Sequence, residues 1–115
     1  MTWQPTKQQL EDAALAGGKQ LFTQGQFGGD REWQPHLPTT QGKADLQDLQ
    51  LALPMDVAWF YNTMGDLRAA YVGHHDGNSC FSSEIEIANN DKHAALARAV
   101  LEVAAQVGAK MRGEV

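Results

Sequence analysis

Three strand-like segments follow one another with no helix between them, at 55–61, 67–73 and 79–87. Such closely spaced strands pair antiparallel, because a parallel pair needs a long crossover. The first segment is apolar on both alternating sets, Met55/Val57/Trp59/Tyr61 and Ala58/Phe60, a pattern that predicts cover on both faces. The second, with Leu67/Ala69/Tyr71 against Arg68/Ala70/Val72, is largely covered by the same reasoning. The third alternates, with Phe81, Ile85 and Ile87 inward and Cys80, Ser82, Glu84 and Glu86 on the other side. Between the last two lies His74-His75-Asp76-Gly77-Asn78, and Asp-Gly between alternating segments is a strong hairpin signal. Pairing outward from Asp76 and Gly77 sets His75 opposite Asn78, His74 opposite Ser79 and Gly73 opposite Cys80.

Helical periodicity brackets this sheet. Thr6-Lys7-Gln8-Gln9 fits a capping box, Leu10, Ala13, Ala14 and Gly17 share one face, and Gly17-Gly18 is a stop signal. A second helix is predicted from Thr40 or Gly42 to Leu53, with Leu46, Leu49 and Leu53 inward and Asp45, Gln47, Asp48 and Gln50 outward. Pro54 ends it. A long helix runs from Asn90 or Asp91 to about Arg112, with Asn90 as its cap. Its two apolar stripes are Leu96/Val100/Val103/Val107/Met111 and Ala97/Leu101/Ala104/Gly108. Gln20-Leu21-Phe22-Thr23 and Arg31-Glu32-Trp33 read as a short hairpin around Gly25, Gly28 and Gly29, closed by Pro35 and Pro38. The order predicts an α+β fold: a three-layer α/β/α sandwich, with helices on both faces of a largely antiparallel sheet of about 3–5 strands. One domain, 1–115, is expected, with Trp59 and Phe60 in its core.

Charge and cysteine content narrow the function classes. Nine Lys and Arg against 14 Asp and Glu give a net charge of −5, and the cations are scattered. A chain that grips duplex nucleic acid carries a basic patch, so nucleic acid is not the expected partner. Cys80 is the only cysteine, which rules out an intramolecular disulfide. No apolar run approaches the ~20 residues of a membrane helix. The N-terminus lacks the basic and apolar regions of a signal peptide, so a reducing cytoplasm is the expected compartment.

Four pieces of the chain carry a resemblance. They are the Leu10-Glu11-Asp12-Ala13-Ala14 helix ending in glycine, Trp33-Gln34-Pro35-His36-Leu37, the helix over 42–53, and Ala94-Ala95-Leu96-Ala97-Arg98-Ala99-Val100. Together they resemble the phage ABA-sandwich domain proteins, small proteins of phages and prophages. Thr39-Thr40 stands where that group usually has an acidic pair. The resemblance implies a fold and a phage or prophage origin in a bacterial cytoplasm. It implies no enzymatic activity or cofactor.

No catalytic constellation stands out. His74 and His75 are adjacent on a strand and point to opposite faces, a poor arrangement for chelating one ion. Cys80 lacks a facing base in the expected register. Glu84 and Glu86 read as a solvated face, with Arg68 as a cross-strand ion-pair partner. No metal or cofactor is expected, and the chain reads as a non-enzyme. The favoured function is a protein-binding module acting on a host or phage protein, such as a defence, replication or transcription factor. Its expected contact surface is 25–37, because that segment mixes glycines, aromatics and a histidine without periodicity. The contact residues are Phe27, Trp33 and His36, with acidic Asp45 and Asp48 facing a basic partner. Trp33 has a second reading, as a core plug under an irregular loop. Two alternatives stand beside this. One is a small-ligand binder or enzyme with a pocket near Arg68, Glu84 and His74. The other is a structural or self-assembling protein, such as a homodimer, joined through an uncovered sheet edge.

Overall fold

The computed structural model describes residues 3–19, 22–24, 30–77 and 79–113. Their order is α1 (Lys7–Gly17), β1 (Phe22–Gln24), β2 (Asp30–Glu32), α2 (Thr40–Ala52), β3 (Asp56–Tyr61), β4 (Leu67–Asp76), β5 (Ser79–Glu86) and α3 (Lys92–Met111). Local chemistry sets the helix ends. The Thr6 hydroxyl accepts from the Gln9 amide at 3.1 Å, and the Gln9 side chain accepts from the Thr6 amide at 2.9 Å. This is the expected capping box. Gly18, left-handed at φ 64°, closes α1. Thr39 caps α2 by accepting from the Gly42 amide at 3.0 Å. Asp91, not Asn90, caps α3 by accepting from the Ala94 amide at 3.0 Å. Asn89 and Asn90 instead take left-handed φ values of 55° and 58° in the turn before it. Asn is among the few non-glycine residues that enter this region readily.

β3, β4 and β5 form an antiparallel meander in that order, and β1 pairs with β2 in a separate two-stranded sheet. The α+β class and the antiparallel sheet are therefore as expected. In the β4–β5 register each β4 residue faces a partner two positions further along β5 than expected. Asp76 pairs with Ser79, His75 with Cys80 and His74 with Phe81. The positive-φ glycine, Gly77 at 60°, follows the last paired residue of β4. Asp76 thus ends the ladder where it was expected to enter the turn.

α3 is the helix that meets the sheet, against β4 and β5. Its small-residue stripe faces α1. At Gly108 a Cβ would run into the Asp12 carbonyl, so only glycine lets the two backbones come this close. Arg112 then clamps α1 to the end of α3, donating to both carboxylate oxygens of Asp12 at 2.7 and 2.9 Å. α2 packs on α1 and α3. The core joins Ala13 and Ala14 of α1, Leu46 and Leu49 of α2, Val72 of β4, and Val100, Leu101, Val103 and Ala104 of α3. Among the described residues α1 and α2 do not touch the sheet, and the expected helix layer on its second face is not seen. None of the described helices is long and apolar enough to cross a membrane.

β3 departs most from expectation. It is an edge strand that, among the described elements, contacts β4 alone. Val57 is 38% exposed, Phe60 39% and Tyr61 64%. Phe60 is therefore not the core residue its sequence context suggested, while Trp59 is half-buried. The strand buried on both alternating sets is the central one, β4, where Ala69, Ala70 and Val72 are fully buried.

Candidate functional site

Pairing register assigns side chains to the two sides of the sheet, since directly opposed residues share a face. On the α3 side lie Phe81, Ser83 and Ile85 of β5. The Ser83 hydroxyl donates to Glu102 of α3 at 2.6 Å, and Arg98 donates to the other oxygen of that carboxylate at 3.1 Å. His74 stacks on Phe81 with ring centroids 6.4 Å apart, and its Nδ1 lies 2.6 Å from the Pro54 carbonyl. On the other side, rows run across the strands: Phe60–Ala69–Glu86, Ala58–Tyr71–Glu84 and Asp56–Gly73–Ser82, then His75–Cys80. We call this side the open face. Phe60 and Tyr71 meet edge to face at 6.1 Å, a favourable aromatic geometry. The Tyr71 ring lies over Gly73, where a Cβ would meet its hydroxyl at 2.8 Å. The open face is therefore a small aromatic patch beside an exposed polar strip of Cys80, Ser82, Glu84 and Glu86.

The aromatic surface continues past the end of β3. Asn62 turns the chain tightly: its side chain accepts from the Met64 and Asp66 amides, both at 2.9 Å. Met64 projects from that turn at 83% exposure. An open cleft of about 630 Å³ adjoins it, lined by Tyr61, Asp66, Leu67, Asn90 and Lys92 among others.

The expected site residues sort differently. Phe27 lies outside the described residues. Trp33 is 5% exposed and belongs to the core cluster, so the plug reading describes it and it presents no surface to a partner. Its Nε1 has no hydrogen-bond partner. Asp45 was expected outward on α2 but is 1% exposed. Its carboxylate accepts from the Gln34 amide at 2.9 Å and from the Gln41 side chain at 3.2 Å, tying the segment after Trp33 onto α2. That satisfied backbone donor is what makes burial of the charge tolerable. His36 is half-buried with Nδ1 unpartnered. Burial holds its pKa below the ordinary imidazole value, against the opposing pull of the Glu32 charge. Asp48 is exposed, as expected. Of the five residues, the structure leaves Asp48 on the surface and His36 partly so.

The alternative pocket is not assembled. Arg68 lies 3.9 Å from Glu84, both half exposed, as expected for a cross-strand ion pair. His74 belongs to the α3 side, away from Glu84. His75 and Cys80 do face each other across the hairpin, contrary to the expected register, and both are exposed. Among the described residues there is no group of three or more His, Cys, Asp or Glu placed to hold a metal ion. The exposed apolar edge at β3 was the feature that sequence reasoning placed wrongly. The signal for it was present in the doubly apolar pattern of 55–61, which fits an edge awaiting a partner as well as a covered strand. The chain matches no known protein family, no curated protein and no solved structure.

Proposed function

We propose that this chain is a protein-binding module whose contact surface is β3 together with the open face of the sheet. One observation carries the reading: α3 covers β4 and β5 but leaves β3 with Val57, Phe60 and Tyr61 exposed beside Met64. Exposed apolar side chains gathered along one edge strand, aromatics above all, mark interaction surfaces on small proteins. The contact surface therefore moves from 25–37, where Trp33 is buried, to the sheet. A host or phage protein as partner, and a phage-type accessory role in a bacterial cytoplasm, are part of the same proposal and rest on the sequence resemblance alone. The test is affinity capture from a bacterial lysate, comparing the native chain with a Val57→Thr, Tyr61→Ala double variant. We expect a partner retained by the native chain to fall about tenfold or more with the variant, while its melting temperature stays within a few degrees. Equal retention by both would move the contact surface elsewhere.

A further inference from the structure

We propose that the outer edge of β3 accepts an extended segment of a partner protein as a fourth strand, apolar along its middle and carrying Lys or Arg at the end that meets Asp56. This rests on the protein-binding reading above and specifies its partner. Three observations support it. First, β3 is six residues long, pairs with β4 on one side, and pairs with no other strand among the described residues. Alternate residues of such an edge turn their N–H and C=O groups outward, ready for another strand. Second, the edge has neither a basic nor a proline guard, and the bulge in its pairing with β4 is confined to the Phe60/Tyr61 end. From Pro54 to Leu67 there is no Lys, Arg or His, and β3 holds no proline. Third, its one charge is acidic and stands at its start. Asp56 opens β3 and is exposed. Among the described residues it has no ion-pair partner. After it run Val57, Ala58, Trp59, Phe60 and Tyr61. Adjacent strands lie about 4.8 Å apart, so a Lys or Arg set opposite Asp56 in an added strand would reach its carboxylate.

Charge also argues against a second copy of this chain as occupant. Each copy brings a net charge of −5 and the same acidic residue at the start of its edge, so association would be opposed by like charge where a basic segment gains attraction. Guanidinium and ammonium groups gain further from the exposed aromatic faces of Tyr61 and Phe60.

The probe is acetyl-Lys-Val-Thr-Val-Thr-Val-Lys-amide, titrated into the ¹⁵N-labelled chain and followed by amide shifts and hydrogen exchange. We expect saturable shifts centred on 56–61 and slowed exchange of the outward amides of β3. The counterpart with Glu in place of both Lys should bind at least tenfold more weakly. The Lys peptide N-methylated at every internal amide should not bind, because its donors are gone while its charge and apolar side chains remain. In the Asp56→Lys variant, at an exposed position, the preference should reverse toward the Glu peptide. Equal binding of the methylated peptide would overturn strand addition, and equal binding of the Glu peptide would overturn the charge assignment. Absence of binding by the Lys peptide, or a dimer in sedimentation that Trp59→Lys dissociates, would overturn the proposal as a whole. None of these results bears on the capture experiment with the Val57→Thr, Tyr61→Ala variant, so the broader reading stands or falls separately.

Discussion

The two edges of the three-stranded sheet are built from opposite materials. β5 alternates half-buried and exposed residues along its whole length, and its exposed set ends in Glu84 and Glu86. α3 holds it down through hydrogen bonds. Glu102 receives the Ser83 hydroxyl at 2.6 Å, the Gln106 amide donates to the Ser82 carbonyl at 3.4 Å, and Lys110 donates to the Ser79 hydroxyl while lying over the Phe81 ring. β3 has none of these ties to a helix and no basic residue of its own. Charge and helix cover protect one edge from strand addition, and the other is left apolar and uncovered. The contrast locates function on the molecule more sharply than any single residue does.

The comparison predicts large effects on the covered side and small ones at β3. The largest is expected from Trp33→Ala, which empties a site 5% exposed. A loss of about 3–5 kcal/mol in denaturant unfolding is expected. A loss below about 1 kcal/mol would show that Trp33 is not a core plug. Next comes Gly108→Val, which forces α1 away from α3 at the Asp12 carbonyl. About 1–3 kcal/mol should be lost, and the α1 amides should lose exchange protection before those of β5, because α1 is the element the new side chain displaces.

Asp12→Asn should have the next effect, about 1–2 kcal/mol, since Arg112 would lose a charged acceptor at the C-terminus of α3 while remaining partly solvated. The same pair sets an acid response. The Arg112 hydrogen bonds hold the Asp12 carboxyl below its ordinary value of 3.8, against the opposing effect of burial. A lowered folded pKa means that the contribution is complete above the unfolded value and is lost as the pH falls through the lower folded one. Stability should therefore drop below about pH 4 in the native chain, and Asp12→Asn should flatten that limb of the curve. Parallel acid limbs in both would remove the ion pair from the account. The smallest effect is expected at the open edge, where Tyr61→Ala, at a residue 64% exposed, should shift stability by about 1 kcal/mol or less. A larger loss would mean that β3 is covered in solution and would erase the difference between the edges.

Much of the fold was legible in the sequence, but not uniformly. Local signals held best. The Thr6–Gln9 box, the glycine stop after α1 and the alternation of β5 need only neighbouring residues to take effect. The hairpin was legible but its register was not. Asp-Gly marks a turn, while which residue closes the ladder depends on the whole strand pair, and the two-residue shift brings His75 opposite Cys80. The candidate site was the least legible part. Trp33 and Asp45 looked like surface residues because a loop without periodicity and a polar position on a helix usually are. They are buried because the loop folds over α2, with the Gln34 amide supplying a donor from eleven positions away in the chain.

By itself, then, the sequence determined the element types, their order, the α+β class and the antiparallel meander, all of which follow from side-chain periodicity, caps and short connections. Only the tertiary structure decided which apolar surface stays open. A helix is about 10 Å across, and neighbouring strands are about 4.8 Å apart, so one helix covers about two strands. The small-residue stripe of α3 draws α1 onto its back through the close approach at Gly108, so α1 does not lie beside it on the sheet. With α3 seated on β4 and β5, and α1 spent on α3, Val57 lies beyond the helix on its own side of the sheet, and Phe60 lies on the opposite face, where no described helix packs. Their sequence alone does not distinguish them from a core strand.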